Sequence, residues 1–418
     1  MKIENNQLLR FITSGNVDDG KSTLIGRLLY DSKSIFEDQL QNVKKISERK
    51  GNTEIDLTLF TDGLRDEWEQ GITIDVAYQY FTTPKRKFII ADTPGHVQYT
   101  RNMFTGASTA NLAIILIDVI NGVTEQTKRH SFIASLLQIP NAIVCINKMD
   151  LVNFSEDVYN SIVEEFKEFA EMLSMKDVRF IPMSALAGDN VVEKSSRMEW
   201  YKGEPLLHTL ETIPIESNIN EEDVRFPVQT ILRPQSEICQ EKRRYIGRLG
   251  SGVLREGDEI TVLPSGLTSK VKTLYNLDKK AQEVFAPMSI SITLEDNIDI
   301  SRGDMVVKSS NTPNVSQDIE VMLCWLHNNP AKPRAKYFIK HTTNEQKAII
   351  KEIVYKIDIE SLEKNYQSEG LHMNDICKVK LKTTKPLIVD LYKKNKVTGS
   401  IILIDEATNE TVAAGMIV

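Results

Sequence analysis

Gly15-Asn16-Val17-Asp18-Asp19-Gly20-Lys21-Ser22 sets two glycines, a lysine and a hydroxyl at the spacing that a chain of phosphates requires. The glycines let the backbone wrap tightly, so that successive N–H groups and the N-terminus of a following helix face the phosphates. Lys21 then supplies a point charge to the β and γ phosphates, and the Ser22 hydroxyl is placed to ligate Mg2+. Thr23 opens the expected helix TLIGRLLYD, and the apolar run LLRFITS precedes the loop. That is the strand, loop and helix context in which the motif has meaning.

Asp92-Thr93-Pro94-Gly95-His96 closes a second apolar run, KFIIA. An acidic group there can hold the water shell of Mg2+, and the Gly95 N–H can sense the γ phosphate, which makes the following segment a switch. Pro-Gly alone is ordinary turn chemistry; its place after a strand and behind the phosphate loop gives it the second reading. His96 is then the residue that positions the attacking water. Between the two motifs, Gly71-Ile72-Thr73-Ile74-Asp75 supplies a hydroxyl at Thr73. It can close over Mg2+ and the γ phosphate and release after hydrolysis, so the loop before it is expected to be mobile with GDP bound.

Asn147-Lys148-Met149-Asp150 ends the run AIVCI. Asp150 can accept hydrogen bonds from the N1–H and the exocyclic amine of guanine, Asn147 can reach the O6 and N7 side, and the Lys148 stem can lie over the ring. Adenine has neither proton and would leave a buried carboxylate unpaired, a far larger penalty than a missing methylene. Ser184-Ala185-Leu186, after RFIPM, fits a backbone contact to the guanine O6. Each segment is weak alone. Their order, and their places at strand ends, point to GTP and GDP with Mg2+.

The elements that must carry these loops are legible as alternation. LLRFITSG, KFIIAD, LAIILIDV and NAIVCINK read as strands buried on both faces of a parallel sheet. SFIASLLQ and VYNSIVEEFKEFAEML space their apolar residues as helices packed on such a sheet do. Residues 1–214 are therefore expected to form an α/β P-loop domain, doubly wound around a mostly parallel sheet. The polar stretch IESNINEED, 215–223, reads as a linker. Beyond it, FPVQTIL, YIGRLGSGVL, DEITVLP and SKVKTLY have hairpin spacing, and IEVMLCWL, AKYFIKH, AIIKEIVYKI and DICKVKLK continue it. Two small antiparallel β-barrels are expected, at 224–312 and 317–418. The charged segment from Asp31 to Asp75 shows no central strand.

Composition excludes several classes. Of 418 residues, 41% are hydrophobic and 26% charged, which argues against disorder and fibrous repeats. The run Leu112 to Ile117 is too short to cross a bilayer, and the N-terminus shows no secretory signal. Cys145, Cys239, Cys324 and Cys377 lie far apart without CxxC pairing, as thiols of a reducing cytoplasm do. Net charge is −7 overall, but residues 225–418 hold 28 Lys and Arg against 24 Asp and Glu. No bulk field attracts nucleic acid, which makes it an improbable partner, and a mildly positive second half is ordinary for a solvated surface.

The four motifs, GITID and two following barrels resemble the superfamily of translational GTPases typified by elongation factor Tu, over essentially the whole chain. Within it, NVDDGKSTLIGRLLYDSKSIFEDQL, KFIIADTPGHVQYTRNMFTGAS, QTKRHSFIASLLQI and INKMDLV, with VLPSG and DISRGD further on, are similar to the family of GTPase subunits of bacterial sulfate adenylyltransferase. Asp19 stands where the elongation factors carry a histidine. The resemblance implies a GTPase that works with a smaller catalytic ATP-sulfurylase subunit, which makes adenosine 5′-phosphosulfate and pyrophosphate from ATP and sulfate while GTP hydrolysis drives the synthesis. The other reading is an elongation-factor-like GTPase that delivers aminoacyl-tRNA. No fused adenylylsulfate kinase is expected, since the chain stops at Val418. Val97, where an acidic residue is usual, and Trp68, where a charged one is, depart from the family pattern in the segments expected to switch.

Overall fold

A computed structural model of the chain describes residues 8–33, 35, 38, 40, 41, 43, 55–60, 75–173, 175, 177–215, 220–232, 243–277, 279–331, 334–367 and 370–418. Thr73 with its neighbours 71, 72 and 74, Trp68, Cys239, most of the loop 31–73 and residues 216–219 of the linker lie outside the described residues, as does the side chain of Val97. Two compact units emerge, Met1–Glu216 with Ile359–Leu362, and Ser217–Asp358 with Glu363–Val418. Among the described residues no helix is long and apolar enough to cross a membrane.

Among the described residues the first unit is built on six strands: β1 (Leu8–Ser14), β2 (Ala77–Thr82), β3 (Lys87–Asp92), β4 (Leu112–Asp118), β5 (Asn141–Asn147) and β6 (Asp177–Pro182). They lie in the order β2-β3-β1-β4-β5-β6, parallel throughout except for β2 against β3. Every residue of β4 and β5 is buried, as the unbroken apolar runs require of strands covered on both faces. β2 was not among the strands expected from the sequence. It is an edge strand with one exposed face, where Tyr78 and Tyr80 stand in solvent.

Among the described residues the sheet is covered by helices α1 (Lys21–Asp31), α2 (Thr100–Ala107), α3 (Glu125–Leu136), α4 (Glu156–Glu171) and α5 (Leu206–Thr212). α4 starts where the Ser155 hydroxyl accepts from the Val158 N–H, with Glu156 and Asp157 favourable in the first turn. It buries Tyr159, Ile162, Val163, Phe166 and Phe169, three or four residues apart. α3 opens with a reciprocal cap, Thr124 and Thr127 each accepting from the backbone of the other. β1 has β3 on one side and β4 on the other. Right-handed connections leaving in opposite directions put helices on both faces, and they open a crevice at the carboxyl ends of these strands.

The second unit holds two antiparallel barrels. In one, Phe226–Pro227 pairs with Met305–Lys308 while Thr230–Leu232 pairs with Arg244–Arg248, so a single segment joins both edges of the sheet. In the other, Lys336–His341 pairs with both Ser400–Asp405 and Asn344–Ile357, which closes a ring of six strands. Between the barrels the Arg225 guanidinium, fully buried, meets both Asp390 oxygens, at 2.8 and 3.0 Å. Asp390 also accepts from the Thr398 hydroxyl at 2.6 Å, and Arg225 donates to the Val224 and Asn311 carbonyls. Arg225→Ala leaves a buried carboxylate without its counter-charge, so a loss of about 3–5 kcal/mol is expected. Urea unfolding of the full chain checks it; a loss below about 1 kcal/mol would mean water already solvates the pair.

Candidate functional site

All four sequence motifs arrive at one edge of the sheet, because β1, β3, β5 and β6 run parallel and each motif follows the carboxyl end of its strand. Side-chain hydrogen bonds then lock the loops together. The Thr13 hydroxyl donates to Asp92 at 2.9 Å, and the Thr93 hydroxyl returns to the Thr13 carbonyl at 2.6 Å. Asn147 donates its amide to the Asp19 carbonyl at 2.8 Å and accepts the Ala185 N–H at 2.9 Å. One side chain thereby joins the phosphate loop, the end of β5 and the loop after β6. Its amide keeps one N–H for a base, so the expected reach toward O6 and N7 is reduced to that single donor.

The phosphate loop has the conformation its glycines permit. Gly20 caps α1 at a φ of 92°, and a Cβ there would lie 2.5 Å from the Asn147 amide nitrogen. Only glycine fits. Asp18, also left-handed at 68°, has the short polar side chain that tolerates this region. Lys21 is buried and curls back over the loop, donating to the Gly15 carbonyl at 3.1 Å and the Asn16 carbonyl at 2.6 Å. Burial lowers its pKa, and Asp92, Asp19 and Asp18 oppose the shift. Gly95 sits directly against it: a Cβ at Gly95 would meet the Lys21 ammonium at 2.6 Å and the Gly15 carbonyl oxygen at 2.9 Å. A γ phosphate reaching Lys21 must therefore arrive beside the Gly95 backbone. His96 follows, half-buried, its ring 6.3 Å from that of Tyr99.

Asp19 is nearly inaccessible, and its carboxylate accepts the Asn16 N–H at 2.5 Å. Burial outweighs that bond and the nearby Lys21, raising its pKa from 3.8 to about 6. A carboxyl with a raised pKa makes the folded state bind the extra proton between about pH 4 and 6. Stability from this group falls as pH rises through that window, and the full penalty is present above it. Asp19→Asn keeps an acceptor for Asn16 and removes the penalty, so the variant should be more stable by up to about 3 kcal/mol at pH 7. Thermal melts from pH 4 to 8 read it: the gain shrinks toward pH 4, and a pH-independent difference would contradict the cause.

At the base end, Lys148 takes a left-handed φ of 64° and its ammonium pairs with Asp118 at 2.8 Å. Asp118, at the end of β4, belongs to the site although no motif named it. Asp150 is half-buried and opens the short turn after β5. Met149 points the other way, into the core, with no exposure at all. In the loop after β6, Ser184 and Ala185 are buried, while the Leu186 side chain stands 60% exposed. What Leu186 gives the loop is its carbonyl: Arg27 of α1 donates to it, and to the Ala185 carbonyl at 3.2 Å. Arg27 was not legible beforehand, since a lone helix arginine carries no motif.

Ser22, in the first turn of α1, and the Asp92 carboxylate at the end of β3 are hydroxyl and carboxylate donors of the hard type that suits Mg2+. Among the described residues no three His, Cys, Asp or Glu side chains gather as a metal cage. Mg2+ typically takes one or two protein groups and completes its shell with phosphate oxygens and water. The oxygen donors and the phosphate cradle fit that ion.

One further residue enters the site from α3. His130, fully buried, accepts the Gly15 N–H on Nδ1 at 3.2 Å. Burial, with Lys21 and Arg129 near, pushes its pKa down to about 3, so the imidazole is a neutral acceptor. Only the run QTKRH, with its histidine six residues past the Thr124 cap, could have signalled it.

Known proteins resemble the chain in sequence and fold. The family model described as the elongation factor Tu GTP binding domain matches residues 6–223, and one described as GTP-eEF1A C-terminal domain-like matches residues 318–418. Sulfate adenylyltransferase subunit 1 of Bacteroides thetaiotaomicron is 52% identical over 427 residues, covering 100% of this chain and 87% of that one. The bifunctional enzyme CysN/CysC of Rhodopirellula baltica is 51% identical over 99% of this chain, which spans 64% of that protein's length. Among solved structures, the GTPase-like domain of S. cerevisiae Ski7, bound to GDP and inorganic phosphate, covers 99% of this chain and 97% of its own at a TM-score of 0.54 and 19% identity, a likeness of fold. The chain belongs to the family of sulfate adenylyltransferase subunit 1, within the GTPases of the elongation factor Tu type.

Proposed function

We propose that this chain is the cytoplasmic GTP-hydrolysing subunit of a sulfate adenylyltransferase. It couples GTP hydrolysis to a partner, a smaller catalytic subunit that joins ATP and sulfate. In the partner's reaction a sulfate oxygen attacks the α phosphorus of ATP, giving adenosine 5′-phosphosulfate and releasing pyrophosphate. In this chain, water attacks the γ phosphorus of GTP and leaves GDP and phosphate. The observation that carries the reading is identity of about half, end to end, to proteins named for that enzyme's subunit 1. Asp19 in the phosphate loop separates the chain from the elongation factors, which deliver aminoacyl-tRNA.

The roles follow from position. Residues 1–214 form the GTPase domain, 215–223 the linker, and 224–312 and 317–418 the two barrels. Lys21 and the backbone of residues 15–22 hold the phosphates. Ser22 and Thr73 would hold Mg2+ directly and Asp92 through water; the ion neutralises charge on the β and γ oxygens when bound. Gly95 senses the third phosphate. His96 orients the water, and positioning with electrostatics supplies most of the rate, because an ordinary imidazole is a weak base for water. Asp150 reads the guanine N1–H and amine, Asn147 and the backbone of 184–186 the O6 side, and the Lys148 stem covers the ring.

The test is affinity capture of this chain from its own cell lysate, loaded with a non-hydrolysable GTP analogue. A smaller protein that co-elutes, and whose complex makes adenosine 5′-phosphosulfate from ATP and sulfate, supports the coupling role. Recovery of aminoacyl-tRNA instead overturns it.

A further inference from the structure

Helix α3 touches both halves of the phosphate site through two side chains one turn apart. His130 accepts the N–H of Gly15, where the phosphate loop begins. Gln126 donates its amide to the Gly95 carbonyl at 3.4 Å, where the segment after β3 begins to turn. Positions 126 and 130 lie on one face of the helix, and both side chains are buried. The helix is itself fixed at this end by the reciprocal Thr124–Thr127 cap, and the Ser131 hydroxyl donates to the Thr127 carbonyl at 2.7 Å.

The other ends of the two side chains are unusual. Among the described residues, Gln126 Oε1 and His130 Nε2 are buried without a hydrogen-bond partner. With Nδ1 accepting from Gly15, Nε2 carries the hydrogen. A leucine and a methionine would fill these positions without leaving a polar atom unpaired. Two polar side chains retained there at a cost are accounted for by what their engaged ends hold: Gly15 and Gly95.

We propose that Gln126 and His130 are positioning residues that reference Gly95 to the phosphate loop through the rigid body of α3, and so set how the Gly95 backbone responds to a third phosphate. His130 ties the helix to the part of the site that holds any nucleotide, and Gln126 ties it to the part that distinguishes GTP from GDP. Since Gly95 packs against the Lys21 ammonium, a shift of either tie moves the same contact. The inference rests on the GTPase reading above and adds the device that registers the third phosphate.

Its test uses the full chain with its partner subunit, and compares Gln126→Met, His130→Leu, the double variant and His130→Asn, whose amide oxygen stands where Nδ1 stood. Affinities for GDP and for a non-hydrolysable GTP analogue are read with kcat for GTP and the melting temperature. Each of the first two should lower kcat about tenfold and shrink the preference for the GTP analogue. The double variant should match the worse single one, because both act through one link; independent sites would multiply to about a hundredfold. His130→Asn should recover most of the lost rate. Multiplying effects, or losses in kcat that follow melting temperature while the GTP-to-GDP preference holds, would overturn the inference. If His130→Leu fails to fold, Gln126→Met alone and His130→Asn decide it: an unchanged preference in Gln126→Met, or no recovery by asparagine over an His130→Ser control, overturns it. Absence of GTP hydrolysis in the unaltered complex would instead overturn the GTPase reading itself.

Discussion

Lys21→Ala should weaken binding of GTP and GDP by about a hundred- to ten-thousandfold, the loss of two charge-assisted hydrogen bonds worth roughly 1.5–3 kcal/mol each. The lysine is buried against the Gly15 and Asn16 carbonyls, with Gly95 pressed against it. Three carboxylates, Asp92, Asp19 and Asp18, act on it electrostatically. Without its charge they would confront the phosphates alone, so the lost attraction is joined by repulsion. A fluorescent guanine nucleotide titrated onto the full chain reads the effect. Unchanged affinity would show that the loop does not hold phosphate.

His96→Ala separates binding from chemistry. The residue sits just past Gly95, half-buried, at the head of the short turn in which its carbonyl accepts the Tyr99 N–H. Its backbone is therefore set by the turn, while its half-buried side chain lies outside the buried core of the fold. Removing the imidazole should leave nucleotide affinity within about twofold and lower kcat by about a hundredfold or more, the signature of an interaction made only in the transition state. Single-turnover hydrolysis with the partner present is the measurement. A rate equal to that of the unaltered chain would mean another group orients the water.

How much of this was readable beforehand depends on what kind of interaction carries each part. Strands β1, β3, β4 and β5 announced themselves because burial on both faces favours short runs rich in Ile, Val and Leu. The antiparallel edge strand β2 did not, since Tyr78, Gln79 and Tyr80 satisfy a half-exposed surface and carry no apolar run. The phosphate loop, DTPGH and NKMD were legible as local chemistry: each needs particular residue types at fixed spacing. What holds those loops to one another was not. Arg27 reaches across 158 positions to Ala185, and His130 across 115 to Gly15; contacts of that separation leave no trace in local spacing. The same blindness worked in reverse for Met149, which lies within a binding motif yet faces the core.

Asp19 shows a third case. Its identity was readable as a mark separating this chain from the elongation factors, but its consequence was not. Only its burial, which outweighs the opposing Asn16 N–H and Lys21, raises its pKa to about 6. A residue type at a motif position says what chemistry is on offer; the packing around it decides the protonation state in which it is offered.

Coupling can be read by reconstituting the chain with its partner subunit. Adenosine 5′-phosphosulfate and GDP are followed together, with ATP and sulfate present, while GTP is supplied, withheld, or replaced by a non-hydrolysable analogue. Adenosine 5′-phosphosulfate should accumulate beyond its level without GTP only when GTP can be hydrolysed, and GDP formation should rise when ATP and sulfate are added. Synthesis indifferent to GTP, or GTP hydrolysis indifferent to ATP and sulfate, would contradict it.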